Sequence, residues 1–206
     1  MILSVNPFAE LAETVSPIYM QSFVILMLFL IILGTLLDII HKKNVKYFFE
    51  NAKKAKLSAT KTLSTGEKIS VISKTIVVDI ATTSELGAGK RRAAHLLGMY
   101  GTILFWIGSV IMIFCYSNPS LDTPLFWPII WHVGAIMTVL GGSWFWFFLR
   151  VDVYSEAQPW YRIIKADLFV LALLACSTFG LAWSYTQFNG QVGLSLLFFA
   201  LFVFSN

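Results

Sequence analysis

Long apolar runs joined by short polar segments make up most of the chain. Pro17 to His41, Ala93 to Tyr116, Phe126 to Leu149 and Ile163 to Tyr185 carry almost no charge over more than about 18 residues each, the pattern of helices that cross a membrane. A shorter run, Gln191 to Phe204, reads as a fifth span. The expected fold is therefore all-α: a membrane bundle of about five transmembrane helices. Its parts are an outer N-terminal segment (1–16), span one (17–41), a polar loop (42–92) and a four-span bundle (93–206).

The loop has its own periodicity. In NVKYFFENAKKAKL, Val45, Phe48, Phe49 and Ala52 share one helical face and lysines cover the rest, which predicts a helix lying in the headgroup plane of membrane lipid. In STGEKISVISKTIVVDIATT, Ser64 and Glu67 have capping-box spacing. Ile69, Ile72, Ile76, Val77 and Ile80 follow at helical intervals. This second stripe serves either to dock a partner, through Lys68, Ile72, Lys74 and Ile76, or to pack on the membrane or the chain's own helices. Gly87 and Gly89 predict a break before the next span.

Charge sets an orientation. Of 15 Lys and Arg, 12 lie in residues 42–92 against four acids, and the others are Arg150, Arg162 and Lys165. Five spans place all of them on one side, which the positive-inside rule makes the cytoplasm. The N-terminus is then outside and the C-terminus inside. The first apolar run lacks a basic flank before it and is long enough to span, so it is not read as a cleavable signal. Trp127, Trp131, Trp183 and Tyr185 fall near the outer boundary, and Trp144, Trp146, Trp160 and Tyr161 near the inner one, as interfacial belts do.

Composition narrows the chemistry. The chain is 57% hydrophobic and 13% charged, with two cysteines, Cys115 and Cys176, both in apolar runs. Two thiols without CxxC spacing do not make an iron–sulfur or zinc site. GAGK lacks the spacing of a phosphate-binding loop. The lysines sit where anionic lipid attracts them, so nucleic acid is not an expected partner.

Three histidines lie in or beside spans, where ionisable groups are functional candidates. At 1.5 Å per residue, His95 is roughly 3 Å from the inner edge of span two and His132 roughly 9 Å from the outer edge of span three. In a core about 30 Å thick their depths differ by roughly 18 Å, so they cannot share a haem. His41 and His95 do share a depth, which makes them the haem b ligand candidates. Both equally fit the role of satisfied interfacial residues. Asp167 opens span four beside Lys165 and Arg162. It is placed to relay a proton to a quinone, to pair with His95, or to form an interfacial salt bridge. Asp38 and Lys42 form an i,i+4 pair. Gly98, Gly101 and Gly108, with Gly134, Gly141 and Gly142, predict close helix contact.

RAAHLLGMYGTILFW, VLGGSWFWFFLR and YRIIKADLFVLALLACSTFGL, in that order, resemble consecutive helices of cytochrome-b-like membrane subunits of respiratory complexes. These include the gamma subunit of nitrate reductase and the quinone-interacting type. In size and loop the chain resembles the membrane anchors of adenylylsulfate (APS) reductases. The likeness covers about residues 92–186. It implies a subunit of a prokaryotic inner membrane that docks a cytoplasmic flavin and iron–sulfur oxidoreductase and links it to the quinone pool, with His95, Asp167 and His41 lining the quinone site. An anchor of this kind is not itself an enzyme. Haem-binding members carry partner histidines on the helix after the aspartate-bearing one. NGQVGLSLLFFALFVFSN has none, so either haem is lost, ligation differs or the chain is shortened. The other function classes are a small transporter or channel and a purely structural membrane subunit. No internal repeat or mid-span proline marks a transporter.

Overall fold

The computed structural model describes residues 2–60, 63–87, 89–152 and 157–206 of the chain. Lys61 of the basic loop and Ala88 of GAGK lie outside them. Among the described residues the secondary structure is all helix, with no strand. The helices are α1 (Pro7–Leu11), α2 (Pro17–Lys42), α3 (Asn44–Leu57), α4 (Thr65–Lys74), α5 (Lys90–Cys115), α6 (Phe126–Trp144), α7 (Asp167–Phe188) and α8 (Val192–Phe204). Two of them continue as π-helical turns, α4 through Thr75–Ala81 and α6 through Phe145–Leu149.

Four helices, α2, α5, α6 with its π turn, and α7, are long and apolar enough to cross a membrane. The expected fifth span is a correction. α8 has 13 residues, about 20 Å of helix against a hydrocarbon core of about 30 Å. It folds back along α7, and the Asn206 side-chain amide donates to Cys176 Sγ at 3.0 Å. Cys176 lies near the middle of α7, so α8 runs only part of the length of its neighbour.

The chain forms two compact units, Met1–Pro17 with Thr82–Asn206, and Ile18–Ala81. This division differs from the expected one, in which the first 16 residues stood apart and span one was separate from the loop. The N-terminal residues are part of the α5–α8 bundle for a specific reason. Asn6 caps α1, its Oδ1 accepting from the Phe8 and Ala9 amides, with Pro7 at the first helical position. That arrangement satisfies free amide groups and uses a residue that needs no amide partner. The Asn6 amide then donates to Tyr116 O at 2.9 Å and Thr123 Oγ1 at 3.0 Å, and Gln187 donates to Pro7 O at 3.1 Å. Phe8 is thereby held edge-on to Trp131 and Trp183, with ring centroids 5.9 and 5.3 Å away.

Trp131 and Trp183 are therefore core residues, 0% and 1% exposed, and not belt residues. Each has an apolar body large enough to anchor a helix contact, and Trp131 satisfies its indole N–H on Ser109 Oγ at 2.9 Å. Trp146 is likewise buried. Trp144, Trp160, Tyr161 and Tyr185 stay exposed, where belts were expected.

Helices α5 and α6 meet at backbone distance. A Cβ added to Gly101 would lie 2.6 Å from the Thr138 amide nitrogen, and one added to Gly141 would lie 2.5 Å from that of Gly98. Small residues allow this approach, and the dispersion contact it creates is what joins helices where no hydrophobic driving force separates them from lipid.

In the second unit the Ser64–Glu67 capping box is formed, with Ser64 N donating to Glu67 Oε2 at 2.8 Å and Glu67 N to Ser64 Oγ at 3.3 Å. The Asp38–Lys42 pair is formed at 2.8 Å. Lys43, in the left-handed conformation (φ 52°), separates α2 from α3.

Candidate functional site

A cleft of about 520 Å³ opens among α5, α6 and α7. One face of α5 supplies Arg91, His95, Gly98 and Thr102, which follow one another at helical intervals of four, three and four. Thr138, Gly141 and Gly142 of α6 form the floor, with Phe145 and Leu149 of its π turn. Phe169, Val170, Leu173 and Leu174 of α7 form the far wall. The cleft is thus polar at its Arg91 end, apolar along its length, and bears hydroxyls where α5 and α6 meet. Thr102 and Thr138 hydroxyls lie 3.4 Å apart, and Thr138 donates to Gly134 O.

Glycine creates the space. A Cβ on Gly98 would meet nothing within 4 Å. One turn deeper, Gly101 is filled by α6 backbone. Both glycines lie against the α6 backbone, but at Gly98 the Cβ position faces the cleft, whereas at Gly101 it faces α6. The π turn adds to the effect. Its wider winding, closed by Arg150 N donating to Phe145 O at 2.9 Å, sets the direction of Phe145 and Leu149, and such turns are enriched at functional sites.

His95 is exposed to the cleft, and its ring makes no hydrogen bond among the described residues. An imidazole in this setting can donate to, or accept a proton from, a carbonyl or hydroxyl entering beside it. Arg91 adds a fixed positive charge at the same end.

Asp167 does not join His95. It is buried against Arg150, which is 0% exposed. Arg150 Nε donates to Oδ1 at 3.1 Å and Nη2 to Oδ2 at 2.5 Å. The remaining guanidinium protons go to the Pro159 carbonyl at 2.7 Å, the Gln158 carbonyl at 3.4 Å and the Arg162 carbonyl. Its plane lies over the Trp146 ring, 4.4 Å from the centroid. The Ile164 amide completes the carboxylate at 2.8 Å. A bidentate pair satisfied on both sides fixes the junction between α6 and α7, and it leaves Asp167 no free oxygen to serve a quinone. Asp167 is accordingly a clasp behind the cleft and not part of its lining. The sequence offered Lys165 and Arg162 as its neighbours. The true partner is 17 residues away, and only the closing arginine of VLGGSWFWFFLR pointed to it.

His132 is also accounted for. Nδ1 bonds Pro128 O at 2.7 Å and Nε2 bonds Ser184 Oγ at 2.8 Å, so the imidazole joins α6 to α7 with both ring nitrogens used. Within this unit a bis-histidine haem site is not formed, since His132 is committed and His95 is the one remaining imidazole. His41 belongs to the other unit, at the exposed end of α2. Among the described residues no group of three or more His, Cys, Asp or Glu is arranged to hold a metal ion.

Lys68, Ile72, Lys74 and Ile76 are exposed on α4 and its π continuation. Ile69, Ile72, Ile76, Val77 and Ile80 are all more than half exposed. This stripe is an uncovered apolar face within its unit. The change from α to π winding at Thr75 shifts Ile76, Val77 and Ile80 away from a straight α-helical line. Comparison of the chain with protein-family models, with curated proteins and with solved structures gave no match.

Proposed function

We propose that the chain is a membrane anchor subunit that docks a cytoplasmic oxidoreductase and links its electron transfer to the quinone pool. The observation that carries this reading is the cleft among α5, α6 and α7. It offers apolar walls for a lipid-soluble molecule and one unengaged imidazole, His95, beside Arg91 at the basic end. By the positive-inside rule that end faces the cytoplasm, and the resemblance to respiratory subunits makes the membrane that of a prokaryotic cell. A quinone ring entering there accepts a hydrogen bond from His95 at a carbonyl oxygen. Reduction to quinol takes two electrons from the docked partner and two protons, one of which His95 is placed to pass; oxidation runs the same steps in reverse. The uncovered stripe with Ile72 and Ile76, flanked by Lys68 and Lys74, suits a partner surface that is apolar at its centre and acidic at its rim. The resemblance to APS reductase anchors supplies the partner class, a flavin and iron–sulfur enzyme.

His95→Ala tests the site. Quinone-coupled turnover of the assembled complex falls at least tenfold while the complex still co-purifies. Unchanged turnover removes His95 and the cleft from the reaction. Haem b enters this reading only through His41 and His95. A reduced-minus-oxidised visible spectrum of protein made with ample haem, lacking Soret and alpha bands, removes it.

A further inference from the structure

We propose that α3 binds anionic phospholipid, its apolar strip entering the surface of the bilayer while its lysines take headgroup phosphates. On a helix at 100° per residue, Val45, Phe48, Phe49, Ala52 and Ala55 fall within an arc of about 120°. All are exposed, Phe48 and Phe49 at 68% and 65%, so this strip is uncovered by its own unit. The two phenylalanine rings sit edge to face, 5.6 Å apart, and form a compact apolar wedge. Lys46, Lys53 and Lys54 lie outside the strip, and Lys56 falls within it in the last turn of α3, where its long stem can carry the ammonium back to the headgroups. Glu50 is the one acid on the helix, and it is paired with Lys46 at 3.8 Å. Lys53, Lys54 and Lys56 have no carboxylate partner among the described residues, so their charge is unspent.

Connectivity selects a lipid surface over an acidic protein. A single left-handed residue, Lys43, stands between α3 and the end of α2, a 26-residue apolar helix. If α2 crosses the bilayer, as the proposed function requires, the chain delivers α3 to the headgroup layer with no linker to carry it elsewhere. Lysine stems reach from a half-immersed helix to phosphate depth, and aromatic side chains fill the space between acyl chains.

The test is hydrogen exchange of residues 44–57 in the full chain. One sample is in nanodiscs of phosphatidylcholine and the other in nanodiscs with one quarter phosphatidylglycerol. Exchange is expected to be slower with the anionic lipid, and the difference to disappear at 0.5 M salt, a concentration where the screening length falls to about 4 Å. A K53Q/K54Q/K56Q variant should lose the lipid preference by about a hundredfold, since each lysine near the surface contributes about fivefold. An F48A/F49A variant should speed exchange equally in both lipids, which separates the apolar contribution from the charged one. Equal exchange of wild-type α3 in the two lipids overturns the proposal. So does protection of α3 that appears only when a soluble acidic protein is bound. Rapid exchange throughout α2 would instead overturn the membrane reading beneath it.

Discussion

Two glycines three residues apart on α5 should respond in opposite ways. Gly98 faces the cleft with no atom within 4 Å of an added Cβ, whereas at Gly101 that Cβ would sit 2.6 Å from the Thr138 amide nitrogen. Ordinary Cβ contacts begin near 3.4 Å. Even G101A must therefore move α6 by a large part of an ångström along the closest helix contact in the bundle. Overpacking of this kind costs about 1–3 kcal/mol, and the Thr102–Thr138 hydroxyl contact beside it is lost with the shift. G98L meets no such barrier. It adds on the order of 100 Å³ of side chain to a cleft of about 520 Å³, on the face that carries His95. Thermal unfolding in detergent should show G98L within a few degrees of wild type and G101A well below it. Quenching of tryptophan fluorescence by a short-chain quinone should be retained in G101A wherever it is folded and reduced at least tenfold in G98L. The reasoning fails if G101A unfolds at the wild-type temperature. It also fails if G98L is folded and binds quinone unchanged.

Three further variants test the clasp and the cap. D167N removes the charge that balances a fully buried guanidinium and should lower the unfolding temperature sharply, whereas R150M/D167L, which removes both charges, should recover part of the loss; a double variant no better than D167N would show that the clasp does not act as a pair. F8A empties the space between Trp131 and Trp183 and should cost about 3–5 kcal/mol, read as a lower unfolding temperature and a red shift of tryptophan emission; an unshifted spectrum would mean the cap is not closed in solution.

Much of the helical framework was legible in the sequence because it depends on local pattern. Apolar runs longer than a bilayer core gave α2, α5, α6 and α7, and the i,i+3 relation of Ser64 and Glu67 gave the start of α4. The candidate site was legible only in part. His95 stood out as an imidazole at the polar end of a span, and Arg91, Gly98 and Thr102 lay on its face at intervals that periodicity alone could have joined to it. The clasp was not legible, because Arg150 and Asp167 stand 17 residues apart: Asp167 read as a quinone-site candidate with Lys165 and Arg162 as its neighbours, and Arg150 only as a cation closing a span. Trp131 and Trp183 were assigned to a belt because a tryptophan near a helix end has the same sequence appearance whether lipid or Phe8 covers it. What covers it is a five-residue helix too short to show a period, announced only by Asn6 and Pro7. The length of α8 was in plain view. Reading it as a span followed from its hydrophobicity, when 13 residues of rise already ruled out a full crossing.

The N-terminal cap also joins distant parts of the chain. The amide partners of Asn6, Tyr116 and Thr123, lie 110 and 117 residues away, and the partner of Pro7 lies 180 residues away, at Gln187. Contacts of such separation carry a large loop-closure cost and form readily only once α5, α6 and α7 have been brought together. Closure of Phe8 over the two tryptophans is therefore a reporter of bundle assembly: protease cleavage around Asn6 should fall when α5, α6 and α7 are packed.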